Sequence, residues 1–429
     1  MSGKLTLREI AEAIGGKLLG RDEEVSHFTQ DSREVRNRSL FFAIRGERFD
    51  GHDFVRDAMD RGASAAVVER IPEGVRGNFI LVEDTVSALA GLAAYYRKNH
   101  LKETGIIAIG GAAGKTTTKE MLHRVLSSQY RTHRSPKSYN NHIGVPLTLL
   151  NTPPDVRYLV LEVGTNHPGE IEALVNIARN DYGILTNIGP EHIEFFGSEE
   201  AIAREESHVF LHADVGFARR EDIEKFGGSM ILPSVLLHPP SLEEALKEAQ
   251  RREVGVVFRG IYFPNVAWLE NALMVETAGK YLGVENPMEH LREFKSESMR
   301  MEIVRVGNLE VINDAYNSNP LSLRALFMSI RPSDDNLFVL GDMLELGNFS
   351  EYYHRQMARK MVSMGHREVV LIGKHMRHFY DEIRDEVRGD YFEELEEAIE
   401  RIKERLRGKK RLILKGSRGI ALERILHYL

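Results

Sequence analysis

The stretch that most constrains this chain spans residues 104–130, TGIIAIGGAAGKTTTKEMLHRVLSSQY. An apolar, β-branched run over 106–109 leads into a glycine-rich turn, Gly110-Gly111-Ala112-Ala113-Gly114. Lys115, Thr116, Thr117 and Thr118 follow, then Met121, Leu122, Val125 and Leu126 at helical spacing. Strand, glycine turn and a helix opening on Lys-Thr is the layout of a phosphate-binding loop. Glycines let the backbone turn tightly and approach an anion, and the free N–H groups and dipole at the helix start favour it. Lys115 adds a mobile point charge, and the Thr116 hydroxyl can ligate Mg²⁺. Gly111, Gly114, Lys115, Thr116 and Thr117 are therefore candidate contacts to nucleotide phosphates. The match is the short form G-x-x-G-K-T, because Ile109 stands where the longer motif has its first glycine. The competing reading is an ordinary strand-to-helix turn with a chance lysine.

At 429 residues the chain is too long for one ordinary core, and its length predicts about three domains. The divisions fall at 1–103, 104–297 and 298–429. A net charge of −7 gives no support to nucleic-acid binding. The absence of cysteine excludes disulfides, thiolate catalysis and Cys-based zinc sites. Charges interrupt the apolar pattern near the N-terminus, which argues against a signal peptide. No apolar run approaches the roughly 20 residues that span a bilayer. The expectation is a cytoplasmic enzyme with no membrane insertion.

In the first region, Leu7, Ile10, Ala11 and Ile14 mark a helix ending at Gly15-Gly16, and short apolar strands follow near 40–44, 65–68 and 79–82. Asp31-Ser32-Arg33 reads equally as a turn with a surface ion pair or as part of a ligand site. A helix over 85–100 leads into the phosphate-loop strand. Beyond that loop, Asn140 and Asn141 lie in a polar loop before Gly144 and Pro146. The buried run 158–161 ends on Glu162, and a carboxylate at the C-terminal end of a parallel strand faces the ligand crevice. Glu162 is thus placed to see the Mg²⁺ of a nucleotide; otherwise it is a solvated strand-end acid. His192 falls similarly beyond the strand near 182–188, as a metal ligand or a structural histidine. Residues 197–206 predict a helix with a Ser198 cap and an acidic first turn. The stretch 211–265 is less readable, with strand-like and helix-like pieces, and 266–282 predicts a helix. In the last region four strand runs end in polar loops, three of them glycine-containing, as doubly wound sheets do at their ligand edge. The fold class is α/β: three domains, with a central P-loop-type parallel sheet and a C-terminal doubly wound, Rossmann-like domain.

Taken together these blocks resemble the Mur ligase family, the ATP-dependent amide-forming enzymes of peptidoglycan synthesis. The resemblance rests on Asp31-Ser32-Arg33 and Asp50-Gly51-His52; on Gly114-Lys115-Thr116-Thr117-Thr118-Lys119-Glu120, on 140–146, on Glu162-Val163-Gly164 and on Thr186-Asn187-Ile188-Gly189 with His192; and on 314–320, 340–347 and Lys415-Gly416-Ser417. The Gly169-Glu170-Ile171 block and the Asn-rich 313–320 block favour the branch that adds D-alanyl-D-alanine to UDP-N-acetylmuramoyl-tripeptide. The resemblance implies one domain for the UDP-sugar, one for ATP and a third that closes over both, in a monomer. It implies that Lys115 and Thr116 hold ATP phosphates and Mg²⁺, and that Glu162 and His192 help position a second Mg²⁺. It implies that Asn271 lies on the adenine side, that Arg300 and Asp314 reach the nucleotide, and that Ser32 and Arg33 meet the UDP end. Asn140 and Asn141 are expected on the substrate side.

The chain departs from the family pattern at several positions. Ala112 and Ala113 replace polar residues, which predicts weakened ATP binding. Ala267 and Trp268 replace a His-Asn pair before Asn271. His208 replaces an acid. Glu206 stands where most members carry a carbamylated lysine; it either supplies a carboxylate directly or marks a site that no longer works. Two alternatives therefore stand beside the ligase reading: a related ligase with a different acceptor, and a nucleotide- or UDP-sugar-binding protein without ligase activity.

Overall fold

Short β-branched runs bounded by glycine and polar residues form strands, and the amphipathic segments between them form helices. The computed structural model describes residues 3–46, 49–295 and 298–429. The expected division at 297/298 adjoins residues 296–297, which lie outside the described residues.

Three sheets of five or six strands follow one another along the chain. The first has the strand order Lys17–Leu19, Phe79–Leu81, Ala65–Val68, Ser39–Phe42, His27–Thr29, and only its first pair is antiparallel. The central sheet is wholly parallel, in the order Val235–Leu237, Val215–Ala218, Tyr182–Leu185, Gly105–Gly110, Tyr158–Glu162, Thr132–Arg134. The third runs Glu302–Val306, Leu309–Asn313, Arg411–Lys415, Asn336–Gly341, Glu368–Ile372, Arg388–Phe392, with one antiparallel edge pair. Parallel pairs need crossovers, and the helices that make them cover the sheet faces. Hence the strands read as continuous apolar runs: Ile106, Ile107, Ala108 and Ile109 are all fully buried. Each such isoleucine contributes roughly 1.5–3 kcal/mol by leaving water.

The units share cores. Helix Thr85–His100 is capped by Asp84, which accepts from the N–H groups of Val86 and Ser87. It packs on helices Gly144–Leu150 and Glu170–Ala178 of the central unit. Its Leu89, Leu92 and Tyr96 join one apolar cluster with Ala108, Leu161 and Leu174. A second cluster joins Met121 and Leu273 of the central unit to Leu326 and Phe338 of the third. The stretch 211–265, with its strand-like and helix-like pieces, supplies the two strands at one edge of the central sheet and a small antiparallel sheet, Gln250–Arg251, Val256–Phe258 and Ile261–Phe263. These strands are two to four residues long, too short to show a period.

Register sets the site. Glu162 pairs with Ile109, and Leu185 with Gly110. The ends of three adjacent strands are therefore level with the start of the glycine turn. Crossovers leave the sheet on opposite sides of strand Gly105–Gly110, so a crevice opens at its carboxyl end.

Candidate active site

A cavity of ≈ 1030 Å³ opens at that crevice, with walls from all three units. Lys115, Thr116 and Thr117 line it with Asn140, Asn141, Glu162, His192, Asn271, Arg300 and Asp314. Gly111, within the loop, and Glu206, which accepts from its N–H, are not on the cavity wall, against the expectation that Gly111 contacts phosphate. Ser32 and Arg33 are outside the cavity. There Asp31 caps a short 3-10 turn, Arg33 is exposed, and the two side chains pair at 2.6 Å.

The phosphate loop divides into two halves. In residues 111–113 every N–H is taken by the protein. Gly111 donates to Glu206 Oε2 at 2.5 Å, Ala112 to the Asn187 carbonyl at 3.0 Å, and Ala113 to Asn187 Oδ1 at 2.8 Å. Thr186 Oγ1 and Asn187 Nδ2 donate back to the Ala113 carbonyl. Gly111 must be glycine: its φ is +119°, and a Cβ would lie 2.2 Å from Thr186 Oγ1. From Gly114 onward the loop is open. Gly114, at φ +86°, begins helix Lys115–Ser127 with no side-chain cap. The first-turn N–H groups have no intrahelical partner and point, with the positive end of the dipole, into the cavity. The N–H groups near 114–117 are therefore the ones the loop leaves available to an anion. The Ala112 and Ala113 amides act as braces, so the loss of polar side chains there does not remove the open amides.

Lys115 is buried among acids. Its Nζ donates to the Gly111 carbonyl at 2.6 Å and to Glu191 Oε2 at 3.1 Å. Burial opposes its charge, but Glu191, Glu206 and Glu162 outweigh that and raise its pKa. Glu191 was passed over in the sequence in favour of its neighbour His192. The signal available was an acid just beyond Gly189-Pro190, past a central strand. His192, in a left-handed conformation at φ +54°, turns to the third unit, with Nδ1 2.7 Å from Glu345 Oε2. Its pKa is raised: burial works against the charge, and Glu345 and Glu191 overcome it.

Glu162 is buried on the other side of the loop. Its Oε1 accepts from Thr116 Oγ1 at 3.2 Å and from Asn140 Nδ2 at 3.0 Å. Its Oε2 is buried without a hydrogen bond among the described residues. An orphaned carboxylate oxygen beside a threonine hydroxyl, at a phosphate loop, suits a hard cation such as Mg²⁺. Among the described residues no three His, Asp or Glu side chains converge into a preformed metal cage. Mg²⁺ commonly takes only one or two carboxylates and relies on phosphates and water for the rest.

Glu206 is 3 % exposed. Burial pushes its carboxyl up to about 7, against the pull of Lys115. Asn271 is buried against Gly114, where a Cβ would fall 2.8 Å from its amide. Trp268 is buried edge-on to Phe294, 5.3 Å between ring centroids. From the third unit, the Arg300 guanidinium lies over the Tyr316 ring at 4.0 Å, and Lys415 Nζ holds Asp314 Oδ2 at 2.7 Å. Asn319 reaches the loop itself, donating to the Ala112 carbonyl at 3.2 Å.

A phosphate loop open at its helix end, a buried lysine among acids, and a third α/β unit touching that loop define a nucleotide-dependent enzyme of three α/β units. Profiles of three domains match in order: Mur ligase family, catalytic domain, over residues 24–97; Mur ligase middle domain over 109–218; and Mur ligase, glutamate ligase domain, over 299–418. The chain is 31% identical to the UDP-N-acetylmuramoyl-tripeptide–D-alanyl-D-alanine ligase of Bacillus subtilis, covering 98% of this chain and 97% of that one. It is 31% identical to the ligase of the same name from Treponema pallidum, over 92% of each. Among solved structures it superposes on MurF from Acinetobacter baumannii with a TM-score of 0.85 at 25% identity, covering 99% and 98% of the two chains. The fold also matches MurF ligase from Thermotoga maritima in complex with ADP, TM-score 0.78 at 24% identity, covering 94% and 96%. The chain belongs to the Mur ligase family.

Proposed function

We infer that this protein is an ATP-dependent ligase that joins D-alanyl-D-alanine to UDP-N-acetylmuramoyl-tripeptide in peptidoglycan precursor synthesis. The observation that carries the reading is the open helix N-terminus with Lys115, placed where all three units meet, in a chain matched end to end by relatives of that activity.

A peptide carboxylate does not react with an amine at neutral pH. Its oxygen attacks the γ-phosphorus of ATP, ADP leaves, and an acyl phosphate forms. The dipeptide amine then attacks the acyl carbon, and phosphate leaves. The protein's part is positioning and charge stabilisation. The amides near 114–117 and Lys115 hold the phosphates and take up the charge that develops as ADP departs. Thr116 and Glu162 would hold Mg²⁺, with His192 available once released from Glu345. When bound, that ion neutralises phosphate charge and draws the reacting oxygens together. Asn140 and Asn141 line the cavity together with Val86, Ser87 and Ala90 of helix Thr85–His100, and are assigned to the substrate side. Ser32 and Arg33 are assigned to the UDP end, Asn271 to the nucleotide base, and Arg300 and Asp314 to the nucleotide from the third unit. Contacts such as Asn319 to Ala112 close the site and exclude the water that would hydrolyse the acyl phosphate. No helix among the described residues is long and apolar enough to cross a membrane. We assign the enzyme to the cytoplasm, acting as a monomer on small-molecule partners.

The test is phosphate release from ATP and Mg²⁺ with the two substrates supplied singly and together. Release only with both, and the ligated product by mass, is the expected result. Saturable binding of the UDP-sugar with no release would identify a binding protein instead, and would turn attention to Glu206 on Gly111.

A further inference from the structure

Lys119 has no part in the chemistry above, yet it is 0 % exposed, among the largest wholly buried side chains. Burying an ammonium is costly unless it is paired and hydrogen-bonded. Its Nζ donates to the Lys137 carbonyl. Lys137 itself takes a left-handed backbone, φ +47°, a conformation uncommon outside glycine. Two carboxylates face the ammonium: Glu120 Oε1 at 3.3 Å and Glu162 Oε2 at 3.4 Å. Glu120 already has a cation, since Arg134 Nε lies 2.8 Å from each of its oxygens. Glu162 Oε2 has no hydrogen bond among the described residues. The charge on Lys119 thus serves Glu162.

We propose that Lys119 is a positioning residue, the built-in counter-cation of Glu162, and that it makes divalent-cation binding conditional on bound nucleotide. The proposal rests on reading this cavity as a nucleotide and Mg²⁺ site. A lone carboxylate with an ammonium 3.4 Å away offers an approaching cation little net attraction. Glu120 is already neutralised by Arg134, and no group of three acids or histidines converges there among the described residues. The missing negative charge arrives with the phosphates. The ion therefore enters with the nucleotide rather than waiting on Glu162.

The experiment uses the full chain and Mn²⁺ as probe, with free Mn²⁺ read by electron paramagnetic resonance near pH 8, with and without ADP. ADP binding without metal is measured separately by calorimetry. The wild type is expected to leave Mn²⁺ free until ADP is added. Lys119→Met should bind Mn²⁺ without ADP, at least roughly tenfold more tightly than wild type. Lys119→Arg keeps the charge and should behave as wild type. A gain of binding is not what a merely damaged fold would give. If no ADP binds under any condition, the reading of the site fails. If ADP binds but the wild type takes Mn²⁺ equally well without it, the proposal fails. A folded Lys119→Met that gains no Mn²⁺ binding also overturns it. If that variant does not fold, the wild-type comparison with and without ADP decides.

Discussion

Two buried glutamates flank one phosphate loop, and their surroundings make them different groups. Glu162 receives Thr116 and Asn140 and faces the Lys119 ammonium. Glu206 receives one hydrogen bond, from the Gly111 N–H, and burial dominates it, so its carboxyl is pushed up to about 7. The first is held by two side-chain donors at the cavity wall. The second is a brace under the locked half of the loop, shared between neutral and ionised forms near neutral pH. Lys115 lies between them and feels both. The residue type does not assign the role; the count of donors around each carboxylate does.

The comparison breaks most visibly at Lys115. Lys115→Ala removes the cation common to both sides and the one that faces the phosphates. ADP formation should fall by roughly 10³-fold; near wild-type turnover would refute the loop assignment. Glu162→Gln keeps the shape and both donors but removes the charge. Turnover at saturating ATP should fall by about 10²-fold and the Mg²⁺ requirement should rise. A smaller loss than in Glu206→Gln would reverse the roles drawn above. Asn187→Ala removes the acceptor for the Ala113 N–H and loosens the locked half. Nucleotide affinity, measured by calorimetry, should weaken by about tenfold. No change would mean that Thr186, Glu206 and the Asn187 carbonyl hold the loop without the Asn187 side chain.

How much of this was legible in the sequence follows from what each feature depends on. The loop, its strand and its helix were legible because glycine spacing and apolar periodicity are local. Glu162 was legible because a strand-end acid has a defined place in a parallel sheet. The choice between Glu191 and His192 was not, because a single left-handed residue sends one side chain to Lys115 and its neighbour to another unit. Lys119 read as one more lysine on a helix; only the packed structure shows that its face is closed. The internal engagement of the 111–113 amides was invisible for the same reason: Asn187 is 74 residues from Ala113. In 211–265 strand-like and helix-like pieces were visible but not their bounds, because strands of two to four residues cannot display a period.

A stability measurement sharpens the comparison most, because it isolates Glu206 without touching turnover directly. Its carboxyl moves from an ordinary 4.5 to about 7 on folding. Below 4.5 it is protonated in both the folded and unfolded chain and contributes nothing. Between 4.5 and about 7 the unfolded chain releases the proton while the folded one keeps it. The folded state then binds more protons, so stability falls as pH rises through this window. Above about 7 the full penalty, about 3 kcal/mol, remains. Glu206→Gln should preserve an acceptor for the Gly111 N–H and carry no such penalty. Its urea midpoint should therefore lie near that of the wild type at pH 4.5 and above it at pH 8, with the difference opening between. A wild-type minus variant difference that stays constant with pH would mean that Glu206 ionises normally. Burial would then not set the state of this carboxyl, and the brace would be a charged one.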